Sequence, residues 1–348
     1  MRGFLIVLAG SFIAFNAAAA GAAERFTDAQ VEAAIKKAAD FLWSQRAGEH
    51  WPGYGRLNSE DVNRFPCGPT ALCVYALLES GVSFRDERMD AALKWMKEHQ
   101  RKELEALKKA TPPDKNVVVR KPAPDPSPKT YTVALRCQAW LSAMKQGGDY
   151  RKELRTDLRT LVLGTGNGQY TYSVYPDWEQ NVDRDDNSNS QFGLLGVWAG
   201  KIANEEIPRE YWQNAIKHWI NCQNADGGWA YGKSRPSKHT MTTAGLASMF
   251  VCVDSLLSEY FINCNLGQRG ELTQLNRGLE WLNRNFDGFA PGHQSGYYLY
   301  AVERVGLASG FKYIGKTNWY EEGVNLLLSR QGSNGAIGDV VNTSFCIL

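Results

Sequence analysis

Four aspartates gather around one tryptophan midway along the chain: Asp177, Asp183, Asp185 and Asp186, with Trp178. Glycan lyases and hydrolases use paired carboxylates, or a base beside an Arg or Lys, and Asp177, Trp178, Asp183 and Asp185 offer that chemistry with an aromatic platform. The chain has 11 Trp, but Trp43, Trp95, Trp219 and Trp281 fall at helical core positions, so their number alone is no glycan signature. The five histidines, His50, His99, His218, His239 and His293, and the seven cysteines are the other reactive candidates. Neither type shows zinc-ligand spacing, and no C-x-x-C pair exists. The sequence therefore predicts no metal and no cofactor. The cysteine count is odd, and Cys73, Cys137 and Cys252 lie inside apolar runs, where a free thiol behaves as a small hydrophobe. Buried free thiols suit a chain of this length better than a disulfide framework does.

A second set of residues is polar rather than acidic. Ser188, Asn189, Gln191, His239, Thr240, His293 and Gln294 stand at or just before the start of apolar runs, as do Thr70, Thr132, Thr242, Asn342 and Thr343. Helix capping accounts for many of them. A cap needs only one side chain, however, and the surplus of Asn, Gln and His predicts a lined concavity. Open N–H groups there would favour an anionic or hydroxyl-rich ligand.

Two kinds of helix must position these residues. The first is amphipathic: Trp212, Ile216, Trp219 and Ile220 fall at i, i+4, i+7 and i+8, one face of a helix. Segments 28–45, 85–100, 150–162, 209–223, 271–285 and 319–330 read alike. The second kind is apolar nearly all round and must be buried on every side. It begins near Thr70, Thr132, Ser190, Thr242, Gly296 and Thr343. Alternation of the two kinds predicts an all-α chain, an α/α toroid of about six hairpins with an inner and an outer ring. β-strand signals are confined to Val117–Val119 and Tyr170–Tyr175.

The hairpins repeat. An apolar residue stands four positions ahead of a polar one in Phe41/Gln45, Trp95/His99, Trp219/Gln223, Trp281/Asn285 and Leu327/Gln331. Most are followed by a Gly-rich or aromatic turn, best formed in QNADGGW, Gln223 to Trp229.

The remaining signals concern address and extent. The chain has 348 residues, 43% of them hydrophobic, and a formal net charge of +2, which gives no ground for a nucleic-acid partner. A basic start at Met1–Arg2, an apolar stretch from Phe4 to Phe15 and small residues from Ala17 to Ala23 predict a signal peptide over 1–23. The protein is then secreted, periplasmic or held in the cell envelope, with no transmembrane segment after cleavage. The toroid would span 24–348, interrupted by a Pro-rich insertion at 112–129. The sixth apolar helix is only about two turns long when the sequence stops at Leu348. That predicts either a stub that closes the ring or a longer natural chain.

These residues also carry a resemblance. QNADGGW resembles the QW-type repeat of squalene and other terpene cyclases, whose hairpin rings also occur in protein prenyltransferase β subunits. DNSNSQFGLLGVWAG from Asp186 and MTTAGLASMF from Met241 resemble secreted bacterial prenyltransferase/squalene-oxidase-repeat proteins. The resemblance covers roughly Phe26 to Leu348. It implies the α/α toroid. It also implies a D-x-D-D acid, which Asp183-Arg184-Asp185-Asp186 matches, with Asp185 as the proton donor to an alkene and Asp183 and Asp186 beside it. Here four residues, Asn187 to Ser190, separate that motif from the inner helix. If the helices are aligned instead, the acid's place falls near Ser188. Arg184 would keep its neighbours ionised. Prenyl transfer would need a zinc set of Asp, Cys and His, and none of the histidines has an Asp-x-Cys partner. Cys67-Gly68-Pro69-Thr70 does not match the thioester string of complement-like toroids. The first expectation is a repeat toroid that binds an apolar, glycan or peptide ligand. A terpene cyclase-like isomerase and a polysaccharide lyase or hydrolase are the alternatives.

Overall fold

A computed structural model describes residues 26–52, 67–109, 127–174, 186–262 and 270–348, with the backbone alone for 257–262 and 270–271. The segment read as a signal peptide, all but the last three residues of the Pro-rich insertion, and Asp177, Trp178, Asp183, Asp185 and Cys264 lie outside the described residues.

The amphipathic segments form α1 (Asp28–Ser44), α3 (Glu87–Lys109), α5 (Arg151–Leu163), α7 (Arg209–Asn221), α9 (Gly270–Asn285) and α11 (Trp319–Arg330). The apolar segments form α2 (Gly68–Glu79), α4 (Thr130–Lys145), α6 (Asn187–Ile202), α8 (His239–Ile262), α10 (Gly296–Ser309) and α12 (Val340–Cys346). The even-numbered helices pack in sequence, α2 on α4, α4 on α6, α6 on α8, α8 on α10 and α10 on α12. Helix α12 then packs back on α2 and closes an inner ring. The odd-numbered helices lie outside it. Helix α3 packs on α2, α5 between α4 and α6, α7 and α9 on α8, and α11 on α10. Helix α1 packs on α12 and α11, so the two ends of the chain meet at one seam. The fold is the all-α, two-ring toroid that the alternation of helix types predicts.

Strands are nearly absent among the described residues. Tyr313–Ile314 (β1) pairs with Thr317–Asn318 (β2) around Gly315, and Lys129 makes an isolated bridge to Ser173. Val117–Val119 lies outside the described residues.

One chemical device recurs at the turns from outer to inner helix. The backbone N–H of the buried turn residue donates to a hydroxyl in the first turn of the next inner helix. The pairs are Trp51 to Thr70 (3.0 Å), Tyr170 to Ser190 (3.0 Å), Trp229 to Thr242 (3.0 Å) and Ile337 to Thr343 (2.9 Å). The aromatic ones also reach back to the outer helix they follow. Trp51 Nε1 donates to the Leu42 carbonyl (2.6 Å), Tyr170 Oη to that of Leu161 (2.9 Å) and Trp229 Nε1 to that of Trp219 (2.9 Å). A buried aromatic with one satisfied polar tip thus pins three of the hairpins. The repeated Gln has a matching task. Gln223 Nε2 donates to the Gly227 carbonyl (2.8 Å) and to the Gln274 carbonyl of α9 (2.9 Å). Gln331 Nε2 does the same to Gly335 (3.2 Å) and to Ala34 of α1 (2.8 Å). Each Gln ties its own turn to the next outer helix.

Six cysteines, Cys67, Cys73, Cys137, Cys222, Cys252 and Cys346, are free thiols. Burial pushes Cys67 and Cys73 up to about 12, so neither is a nucleophile near neutral pH. Among the described residues no helix is long and apolar enough to cross a membrane.

Candidate functional site

The start of α6 carries four of the sequence-predicted residues. Asp186 is its N-cap. One carboxylate oxygen accepts from the backbone N–H of Ser188 and of Asn189, both at 3.1 Å, and from the Ser188 hydroxyl at 2.9 Å. That is a helix-capping role for the last Asp of the acidic run. Ser188 Oγ also accepts from Tyr131 Oη of α4 (2.7 Å), and Gln191 Oε1 accepts from Tyr297 Oη of α10 (2.6 Å). The second bond reaches between inner helices that are not neighbours in the ring. Around it the rings of Tyr131, Phe192, Tyr297 and Phe345 pack at centroid distances of 4.7 to 6.2 Å. They come from α4, α6, α10 and α12 and meet across the inner ring. Most of the polar surplus is thus consumed within the protein. Two groups differ: Asn189 is fully buried with neither atom of its amide partnered, and the buried Gln191 has no partner for Nε2. Each unmet atom of this kind costs about 1–3 kcal/mol.

The other predicted residues meet one hairpin further on. His239 opens α8, and His293 and Gln294 precede α10. The two imidazoles lie tilted to one another with centroids 4.2 Å apart. His293 Nδ1 donates to Asp287 Oδ2 at 2.6 Å, and His239 Nε2 donates to the Asn285 carbonyl at 2.8 Å. Partial burial opposes the Asp287 charge, but the His293 hydrogen bond prevails and holds the carboxyl below its ordinary range. Gln294 donates to the Phe289 carbonyl (2.7 Å) and accepts from Arg330, a structural engagement. Thr240 is half-buried and accepts through its carbonyl from Thr243 Oγ1. The two groups are linked through adjacent residues of α10: Tyr297 bonds to Gln191, while Tyr298 packs on both histidines.

A cavity of about 280 Å³ lies elsewhere, at the seam. Val31 and Ile35 of α1, Leu299 and Tyr300 of α10, and Trp319, Val324 and Leu327 of α11 line it, and Phe345 and Leu348 close one end. Helix α11 packs on the core through Trp319, Leu326 and Leu327, but only partly buries them. At the N-terminal end the Trp319 ring lies on Gly306, where an added Cβ would meet it at 2.3 Å. At the C-terminal end Gln331 ties to α1. No residue of α11 is buried. The one acidic residue in the lining is Glu303. Burial raises its carboxyl above the ordinary range, and Arg304, in ionic contact at 3.2 Å, pulls the other way.

Sequence reasoning missed Glu303 and the role of Asp287. Glu303 sits inside an apolar run and has no local partner pattern. Asp287 was visible only as a turn residue, because His293 stands six positions on in the same loop and His239 opens another helix.

No protein-family model matches the chain, and no curated protein matches it in sequence. Solved structures do. A variant of the type II terpene cyclase MstE from Scytonema, in complex with merosterolic acid A, aligns with a TM-score of 0.53 at 14% identity, over 88% of this chain and 82% of that one. Another variant of the same cyclase, with geranylgeranyl dihydroxybenzoate, gives 0.51 at 14% identity over 88% and 81%. Candida albicans protein geranylgeranyltransferase-I complexed with GGPP gives 0.51 at 11% identity over 90% and 89%. The chain therefore carries the α/α-toroid fold of terpene cyclases and protein prenyltransferases.

Proposed function

We propose that the protein is a ligand-binding toroid that takes an apolar, prenyl-like chain in the seam cavity between α1, α10, α11 and α12. The observation that carries this reading is the cavity itself. Its walls are mainly aliphatic and aromatic, and its volume of about 280 Å³ is at the lower end of small-ligand sites, which run from about 300 to 1,000 Å³. The ligands named for the similar structures support the apolar class. The test is equilibrium binding of geranylgeraniol to the protein and to Val324→Trp. That substitution fills the cavity from a helix with no buried residue, so the fold is spared. Saturable binding that the variant weakens about tenfold or more supports the proposal. Equal binding by both proteins rejects it.

A second reading, an acid isomerase of the cyclase type, draws support from Glu303, a carboxyl raised by burial inside an aromatic-lined cavity. Arg304 opposes the protonated form such chemistry needs, so binding is the stronger reading. Asp185, the acid that the D-x-D-D resemblance implies, lies outside the described residues. Turnover of a polyprene lost in Glu303→Gln but kept in Asp185→Asn would favour the second reading; no turnover by the parent removes it. The composition of residues 1–23 supports a secreted or envelope location, which N-terminal sequencing of the native protein checks.

A further inference from the structure

We infer that His239, Asp287 and His293 form an open three-ligand site for a zinc-class divalent cation. The three residues come from the start of α8 and from the loop between α9 and α10. Their candidate ligand atoms all lie within 4.8 Å of one another. Ligands held tetrahedrally at about 2.0–2.1 Å from an ion stand about 3.3 Å apart, so modest side-chain rotation closes the set. Two imidazoles and one carboxylate suit zinc, cobalt or nickel rather than calcium or magnesium, which prefer oxygen.

The outer contacts match those of a metal-bound histidine. His239 Nε2 gives its proton to the Asn285 carbonyl at 2.8 Å, which leaves Nδ1 with its lone pair. Metal-binding imidazoles characteristically donate their second N–H in this way. Trp281 packs edge-on to His239 at 5.3 Å, and Tyr298 packs against both histidine rings, so their orientation is restricted. Asp287 is exposed, which leaves the remaining coordination position to water or to an exogenous ligand. The ion takes the place of the proton shared by His293 Nδ1 and Asp287 Oδ2. A neutral His293 then carries its ring proton on Nε2, so two neutral imidazoles and one carboxylate leave a site of charge +1. Sequence spacing predicted no metal, because no two of these residues stand at a zinc-like interval; the fold brings them together.

Calorimetric titration of the metal-free full chain with Zn2+ and with Co2+ tests the site. The expected result is one equivalent bound, with visible Co2+ absorption typical of low coordination number. His239→Ala, His293→Ala and Asp287→Asn should each weaken binding about tenfold or more. Circular dichroism and the melting temperature of the metal-free variants monitor folding, and exposed Asp287→Asn keeps the test valid if a histidine variant fails to fold. Absence of stoichiometric binding, or binding by Asp287→Asn as tight as by the parent, overturns the inference. The site is independent of the seam cavity, so either can fail alone.

Discussion

The most heavily committed side chain is Arg136 of α4, buried inside the wall of the ring. Its Nε and Nη2 donate to Asp157 at 3.0 and 2.7 Å, and Nη2 also reaches Glu103 at 2.7 Å. Trp140 Nε1 gives Asp157 a third bond at 3.0 Å. Burial works against the Arg136 charge, but Asp157 and then Glu103 outweigh it and hold the guanidinium protonated well above its ordinary value. Asp157→Asn should therefore cost about 3–5 kcal/mol in urea unfolding, since it leaves a buried cation half-compensated. A loss below about 1 kcal/mol would show that the cluster is hydrated. Nearby His99 is pushed down to about 4, first by burial and then by Arg136. Its folded pKa lies below the unfolded value of about 6.5, so the unfolded chain takes the proton first. The corresponding stability is present above about pH 6.5 and is lost as pH falls toward 4. His99→Gln should flatten that part of the stability profile, measured by urea unfolding at several pH values. Parallel profiles would refute the assignment.

At the scale of elements, the helices were legible because each carries a periodic pattern. Helix α3 shows where that fails. The apolar period predicts an end at Gln100, yet the helix runs to Lys109. Its last turns have almost no apolar face and are held by charges, with Arg101 paired to Glu98 and Glu105 and Lys102 to Glu98. The two-residue strands β1 and β2 are too short to show alternation. The QNADGGW turn was legible as a motif, but not what it does. Gly227 has φ of +94°, and a Cβ there would lie 2.7 Å from the Arg277 carbonyl of α9. Gly335 repeats this against the Lys37 carbonyl of α1, with φ of +88° and 2.1 Å. Gly48 has φ of +64° and nothing within 4 Å. Gly48→Ala should thus cost only the backbone term, about 1 kcal/mol, and Gly227→Ala at least about 2 kcal/mol. Equal thermal shifts for the two would mean that the turn does not dock on α9. The candidate site was the least legible part. Cap and lining residues share the same types, so the sequence does not separate Ser188, which bonds to the Asp186 cap, from Gln191, whose Oε1 is bonded while its Nε2 has no partner.

For the whole molecule, the decisive feature is how the ring closes. Cys73 Sγ of α2 lies 3.5 Å from Ser344 Oγ of α12, and Gln331 bonds to Ala34 across the same seam. Helix α12 has seven residues, against 12 to 24 in the other inner helices. The apolar cavity beside Glu303 lies between it, α1, α10 and α11, whose residues are only partly buried. Opening of the ring and binding at the seam are then linked, because a ligand that fills the cavity joins α1, α10, α11 and α12. Amide hydrogen exchange with and without geranylgeraniol reads that link directly. Slower exchange is predicted in α1, α11 and α12, with α5 and α7 on other hairpins unchanged. Slowing confined to α4 and α6, or no change in any helix, would contradict the account.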